Sequence, residues 1–265
     1  MDPHPLASAA FGPEPGRWPL PPAASATELW LRAVAAAGQG RYASARADLA
    51  DLTRRRPVPR LASLALSTQG SLLRQLGGHT RAAGWDGRAW ALAGADPEAG
   101  IDALAGLAAD ALGTGRLAVA AALLERAVDL LRAAGAGHPR PAVRLAWVHA
   151  ELAMAAGEGR AAVTHAERAA ALAGSALPSL VRHRVKSDLV LAAALACAGD
   201  RPGARRVADT VLVDTATHRL IPLRWAAACL LAGTGSDTRS PAEITVIRQD
   251  SAAFMTRHGG RWRVG

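Results

Sequence analysis

The sequence has few of the residues that build metal centres and disulfides. Only two of its 265 residues are cysteine, Cys197 and Cys229. Two thiols provide neither a disulfide framework nor a zinc site. Both lie in alanine-rich apolar runs, so we expect two small buried side chains without a catalytic role. The eight histidines are scattered along the chain, and we expect no metal.

Lysine and asparagine are almost missing as well. Lys186 is the only lysine, so thirty of the 31 basic residues are arginine, and asparagine does not occur. With the abundant alanine and glycine, this bias is typical of a GC-rich bacterial genome, which weakens the net charge of +9 as an argument about function. The charge still favours acidic partners over basic ones, and both an acidic protein segment and nucleic acid fit that description.

Aromatic residues make up only 4% of the chain, and β-branched residues are also scarce. Half of the residues are hydrophobic, and residues with high helix propensity dominate. This composition predicts an all-α protein with enough apolar surface for a core.

Long hydrophobic runs are absent too. No stretch reaches the roughly 18 to 20 consecutive apolar residues that a membrane helix needs. The N-terminus carries Asp2, His4 and several prolines instead of a basic segment followed by an apolar one, so it does not resemble a signal peptide. These features predict a cytoplasmic protein without membrane contact.

The motifs of common enzymes are missing or lie in the wrong context. Gly113 and Gly115 have the spacing of a dinucleotide-binding loop, but they follow a predicted helix, and that motif requires a strand. No Gly-Lys-Ser/Thr sequence is present to hold phosphates, and no serine lies in a nucleophile-elbow sequence. His149 and His165 fall in one predicted hairpin, where exposed or internally hydrogen-bonded rings are the simplest interpretation. We expect no enzyme activity and no cofactor.

What the sequence does contain is a repeated helical hairpin. Residues 101–133 have the pattern of two amphipathic helices joined at Gly115, and glycine permits the left-handed backbone that ends the first helix. The same register fits Gly40, Gly78, Gly157 and Gly199. Small residues lie five positions after and seven positions before each glycine, which lets two antiparallel helices cross closely. They are Ala45, Ala83, Ala120, Ala162 and Ala204 after it, and Ala33, Ser71, Ala108, Ala150 and Ala192 before it.

This pattern resembles the tetratricopeptide repeat over about residues 25–212. The resemblance implies an all-α, right-handed α-solenoid of about six antiparallel helical hairpins. Some features depart from the family. The glycines are 38, 37, 42 and 42 residues apart, where the family repeat is about 34. Alanine and leucine replace most of the large aromatics, and Arg74 and Gly87 occupy positions that should be apolar. A different subclass of helical repeat is the alternative.

The chain divides into three predicted parts. Seven prolines in residues 1–24 predict a disordered leader. Residues 25–258 form the repeat domain, which begins at the capping box Ser25-x-x-Glu28 and ends with a helix that starts at Ser240-Pro241. Residues 259–265 are expected to form a flexible tail.

In the tetratricopeptide family, the first helix of each hairpin lines a concave groove. The resemblance therefore implies that polar or bulky residues at the lining positions bind a partner. They are Trp30, Thr68, Asp102, Arg144, Trp147, Glu151 and Lys186. Trp147 between Arg144 and Glu151 has the composition of a binding hot spot, although packing between repeats explains this tryptophan equally well. The basic run from Arg182 to Lys186 opposes the dipole at a helix N-terminus, which favours an anion nearby.

Two hypotheses about function follow. The first is a non-enzymatic scaffold or adaptor that binds a peptide or protein surface in the groove, and an acidic peptide with one apolar anchor fits best. The second is a regulatory nucleic-acid-associated protein that uses its arginine-rich surface. Affinity for nucleic acid falls steeply with salt, whereas binding anchored on Trp147 should change less. The sequence leaves the oligomeric state open.

Overall fold

The computed structural model describes residues 4–135, 139–176 and 179–263. Parts of four predictions lie outside the described residues: the leader at 1–3, the long connection that the glycines and prolines of residues 135–141 predict, the helix start that Pro178 predicts, and the tail at 264–265. Within the described ranges the chain forms thirteen helices and no strand. The helices are α1 (Pro5–Phe11), α2 (Ala26–Gly38), α3 (Tyr42–Arg54), α4 (Pro59–Arg74), α5 (His79–Ala93), α6 (Pro97–Gly113), α7 (Leu117–Ala134), α8 (Pro139–Ala155), α9 (Gly159–Gly174), α10 (Val181–Cys197), α11 (Arg201–Thr217), α12 (Ile221–Thr234) and α13 (Pro241–Arg257).

Helices α2 to α13 pair into six hairpins, and each hairpin packs against the next along the chain. The first helices of successive hairpins, α2, α4, α6, α8, α10 and α12, also contact one another. They form one layer, and the second helices lie outside it. The prediction of an all-α repeat-like architecture is therefore confirmed. No helix among the described residues is long and apolar enough to cross a membrane.

The helix starts follow the sequence signals. Ser25 accepts a hydrogen bond from the Glu28 N–H while the Glu28 carboxylate accepts one from the Ser25 N–H, and Ser240 and Glu243 repeat this arrangement at α13. Asp96 caps α6 through the Ala99 N–H at 2.8 Å. These contacts satisfy N–H groups that the first turn of a helix leaves without partners.

The register predicted from the turn glycines is confirmed in four of the five hairpins. The backbone φ is positive at Gly40, Gly115, Gly157 and Gly199, which is the left-handed conformation that glycine adopts at low cost. The small residues at the crossing points of these hairpins are fully buried, as predicted. They are Ala33, Ala45, Ala108, Ala120, Ala150, Ala162, Ala192 and Ala204.

The register predicted for the second hairpin was wrong by one residue. Gly77 takes the left-handed conformation with φ of +81°, whereas Gly78 has φ of −85°. Ala82 and Gly70 are therefore the buried crossing residues in place of the half-exposed Ala83 and Ser71. In the Gly77-Gly78 pair either glycine is compatible with the turn, so the local sequence does not distinguish the two registers. The shift also moves Asp86 into the core.

Residues 4–24 differ from the expected disordered leader. Pro5 at the first helical position begins α1, and Leu6, Ala9 and Ala10 are buried. The Phe11 ring lies 5.4 Å from the Trp30 ring. After α1 the chain passes through bends and a turn without regular structure, and its carbonyl groups accept hydrogen bonds from side chains of the first hairpin, such as Gln39 to Pro15 at 2.9 Å. Proline prevents regular structure here, but it leaves the carbonyls free to bind.

The described part of the tail is also packed. The Trp262 ring lies 4.6 Å from the Trp225 ring, and the Arg263 N–H donates to the Leu76 carbonyl at 3.0 Å. Residues 259–263 therefore contact both α12 and the end of α4.

These contacts bring the two ends of the array together. Met255 of α13 is buried within the core of the first hairpin, where its sulfur accepts a hydrogen bond from the Tyr42 hydroxyl at 3.5 Å. The Ala43 N–H donates to the His258 carbonyl at 2.8 Å. The last hairpin thus packs on the first, and the row of hairpins closes on itself.

Candidate functional site

The seven predicted binding residues lie on the inner helices, and most of them bind one another. The Trp30 indole N–H donates to the Thr68 hydroxyl at 3.0 Å, and the Phe11 ring of α1 covers the tryptophan. Trp30 is only 7% exposed. Closure of the array and docking of α1 therefore bury this end of the predicted groove.

Trp147 is as buried as Trp30, at 7% exposed, but two charged side chains beside it reach the surface. Its indole N–H donates to the Ser187 hydroxyl at 2.8 Å, and one ring face carries the Lys186 ammonium, 4.3 Å from the ring centre. The ammonium lies 3.8 Å from a Glu151 carboxylate oxygen, which is too long for a direct hydrogen bond. The side chains of Lys186 and Glu151 are 37% and 32% exposed, so solvent and ligands reach them.

Asp102 is a buried counterion and not a surface contact. Its carboxylate lies 2.9 Å from the Arg144 guanidinium and 2.7 Å from that of Arg140, and the whole residue is 2% exposed. Arg140 also donates to Glu98 at 2.8 Å. The sequence does not single out Arg140, because it lies in a glycine- and proline-rich run that predicts a connection between helices.

A second buried charge cluster lies between hairpins two and three. One guanidinium nitrogen of Arg74 lies 2.9 Å from Asp86 and 2.7 Å from Asp110, and both carboxylate side chains have no exposed surface. Gly70 and Gly106 make room for it, since a Cβ at either position would collide with the Asp86 carboxylate. Burial raises the pKa of Asp86 to about 6, while Arg74 opposes the shift. The misfit of Arg74 in the repeat pattern was the only sequence signal.

The basic residues at the start of α10 are met by groups of the chain itself, but only Arg184 by a close carboxylate. Arg182 donates to the Val34 carbonyl at 3.1 Å, near the C-terminus of α2, where the helix dipole favours a cation. Burial, together with Arg140 and Arg144, lowers the pKa of Arg182 to about 10. Arg184 pairs with Asp214 at 2.9 Å. Asp214 thus takes the place of the expected anion for Arg184, whereas Arg182 meets only a carbonyl group.

His183 completes the inner face beside Trp147. Its ring stacks on the Trp147 ring at 5.3 Å between centres, and it is 3% exposed. Burial and the surrounding cations lower its pKa well below the ordinary range, so the ring is neutral at pH 7. Burial lowers the pKa of Lys186 too, although Glu151 opposes this shift.

The two histidines of the fourth hairpin do come together. The rings of His149 and His165 stack with centres 5.1 Å apart, beside a shallow hollow on the outer side of the hairpin. Burial lowers the pKa of both rings. Among the described residues, no three histidine, cysteine, aspartate or glutamate side chains come close enough to hold a metal ion.

The expected burial of both cysteines was wrong. Cys197 is exposed because it lies in the last turn of α10, on the side away from the core, and Cys229 is half-buried. Burial raises the pKa of the Cys229 thiol, which disfavours the reactive thiolate.

A scan against protein-family models found no family that matches this chain. A search of curated proteins found no matching relative. The tetratricopeptide resemblance therefore rests on the residues of the hairpins alone.

Proposed function

We propose that the protein is a non-enzymatic scaffold or adaptor that binds an acidic peptide or acidic protein segment on its inner face. The binding site is the lysine patch, defined by Arg144, Trp147, Glu151 and Lys186. We also propose that the array is a right-handed solenoid and that the protein is cytoplasmic, as the sequence predicts. It assigns Trp30, Thr68 and Asp102 to internal packing instead of partner contact.

The observation that carries this proposal is the loose pair between Lys186 and Glu151. The ammonium is desolvated on one side by the Trp147 ring, and its carboxylate partner lies 3.8 Å away. A cation in partly apolar surroundings interacts more strongly with an incoming carboxylate than a fully solvated cation does. Arg144 lies next to it and is paired with Asp102 at 2.9 Å, so Lys186 supplies the charge that is open to a partner.

The substitution Lys186→Glu tests this assignment. The probe is a fluorescein-labelled peptide of twelve residues, rich in aspartate and glutamate and carrying one phenylalanine, with binding followed by fluorescence anisotropy. Reversal of a desolvated charge should weaken binding by at least about tenfold, which corresponds to about 1.4 kcal/mol. Glu151→Gln removes the competing carboxylate and should strengthen binding.

The matched control is Arg206→Glu, the same charge change on the exposed outer face of α11. It should leave the affinity within about twofold, because the two sites are on opposite layers and solvent screens the exposed charge. Equal losses in the two variants would mean that the peptide responds to net charge alone, and the lysine patch would then not be the binding site.

A further inference from the structure

A second basic surface forms where the two ends of the array meet. We call it the junction patch and define it by Arg17, Trp18, Arg41, Arg219 and Phe254. These residues come from the extended leader, the α2–α3 turn, the α11–α12 turn and α13. They are far apart in sequence, and only the closure of the array brings them together.

The centre of the junction patch is a guanidinium between two aromatic rings. The Arg41 guanidinium carbon lies 3.8 Å from the centre of the Trp18 ring and 5.3 Å from the centre of the Phe254 ring. Trp18 is 36% exposed, which is more than any other tryptophan of the described residues. Arg41 therefore holds the indole in place while part of it faces solvent.

Beside Trp18 the surface has a hollow of about 390 Å³. Its walls come from the leader and the α11–α12 turn, and they are Glu14, Gly16, Arg17, Trp18, Thr217, His218 and Arg219. The backbone at Gly16 lies so close to the His218 carbonyl that a Cβ there would collide with it. The two walls are thus fixed against each other.

Positive charge in and around this hollow is poorly compensated. In the described part of the chain, four arginines at the junction have no carboxylate within ion-pair distance, as holds for many arginines of this protein: Arg41, Arg46, Arg219 and Arg261. Only Arg17 has such a partner there, Glu14 at 2.7 Å. Burial and the neighbouring Arg219 lower the pKa of Arg41, and burial and Arg261 lower that of Arg46.

We infer that the junction patch binds a nucleotide, free or as a unit of a single strand, with its base against the face of Trp18 that Arg41 leaves uncovered and its phosphate at Arg41 and Arg219. An exposed indole offers a stacking surface to any base, and guanidinium groups without a carboxylate partner neutralise phosphate. A base within a duplex is already stacked, so the site should prefer single strands to duplexes. The inference uses none of the residues of the lysine patch and stands independently of the proposed function.

The test compares Trp18→Ala with Trp85→Ala. Trp85 of α5 is a matched control because it also has a guanidinium beside it, that of Arg88 at 4.8 Å, but it lies away from the junction. The probe is a fluorescein-labelled strand of twelve thymidines at low salt. Loss of one stacked base should weaken binding roughly 5- to 150-fold, whereas Trp85→Ala should leave it unchanged. Equal affinities of both variants and the wild type would overturn the inference.

Charge is tested with Arg219→Gln and its control Arg88→Gln. Arg219 is exposed in a turn, so this variant should keep its helicity even if Trp18→Ala loses stability. Removal of one phosphate contact should lower the slope of log affinity against log salt by about 0.7 for a single strand. An unchanged slope in Arg219→Gln would remove this arginine from the site.

Competition identifies the source of the nucleotide. Displacement of the labelled strand by millimolar ATP supports a free nucleotide as the ligand, and displacement only by unlabelled strand supports a single-stranded nucleic acid. Polyglutamate supplies charge without bases. If it competes as well as the unlabelled strand, the patch binds acidic polymers without stacking, and the inference is wrong.

Discussion

At the scale of single residues, Arg74 is the cation on which a buried charge cluster depends. It neutralises two carboxylates, Asp86 and Asp110, which have no exposed surface, and only Gly70 and Gly106 leave space for this group. An ion pair of this kind adds little net stability, but removal of one partner leaves an uncompensated buried charge. The cluster therefore depends mainly on one guanidinium, beside which the His79 imidazole lies 3.5 Å from Asp110.

Arg74→Met, which keeps most of the side-chain volume, should lower the free energy of unfolding by about 3–5 kcal/mol at pH 7. In the wild type the pKa of Asp86 is already raised from 3.8 to about 6. Between these values the folded state binds a proton that the unfolded state has lost, so stability from this group falls as the pH rises. The variant loses the cation that opposed this shift, so its stability should recover in part at pH 5.

Urea unfolding at pH 5 and pH 7 measures both effects. Arg132→Met is the control, because Arg132 and its partner Asp129 are mostly exposed and the pair should matter little at either pH. A loss in Arg74→Met that is equal at both pH values would contradict the raised pKa of Asp86.

The buried cluster also shows what sequence reasoning could reach. The sequence does mark Arg74 as unusual, because it occupies a position of the repeat that is normally apolar. Asp86 was not visible, because the register chosen at Gly78 placed it one position away from the core. At the inner face, Lys186 lies next to Trp147 and Glu151, all three of which the tetratricopeptide resemblance places on the groove. The sequence could not show that Trp30 and Asp102 are already satisfied internally, since their partners lie on other helices.

At the scale of helices, the register of the second hairpin decides which alanine meets the neighbouring helix. Ala82 is fully buried at the crossing point, whereas Ala83 is half-exposed. Ala82→Leu should overpack this contact and lower the free energy of unfolding by about 1–3 kcal/mol. Ala83→Leu should have a smaller effect. The melting temperatures of the two variants measure the difference, and a larger loss in Ala83→Leu would restore the register at Gly78.

The helix boundaries were the most predictable part of the fold. Capping boxes at Ser25 and Ser240 and the aspartate at Asp96 act within one turn, so the local sequence contains the whole signal. The leader was predicted poorly for the opposite reason. Seven prolines indicate an irregular backbone, but the burial of Leu6 and Phe11 depends on α2 and α10, whose surfaces form only when the array closes.

At the scale of the whole molecule, closure couples hairpins at opposite ends of the chain. In an open helical-repeat array each unit contacts only its neighbours along the chain. Here Met255 of α13 packs in the core of the first hairpin and contacts Tyr42. Local unfolding of the last hairpin should therefore also destabilise the first hairpin.

Met255→Ala should lower the free energy of unfolding by about 2–5 kcal/mol. Hydrogen exchange followed by mass spectrometry should show lost protection in α13 and also in α2 and α3. Ile244→Ala is the matched control, since Ile244 is equally buried in α13 but packs in the core beneath α10 to α12. Identical exchange patterns in the two variants would argue against the coupling.

Closure also limits how such a chain can change in length. An open row of hairpins tolerates duplication or loss of a unit, because a new copy simply extends the row. In this protein an added hairpin would carry α13 past α3 and separate Met255 from Tyr42 and His258 from Ala43. The contacts that close the array therefore form only with six hairpins, much as a propeller closes only with a fixed number of blades. Insertions should be accepted in the outer loops before they are accepted as whole hairpins.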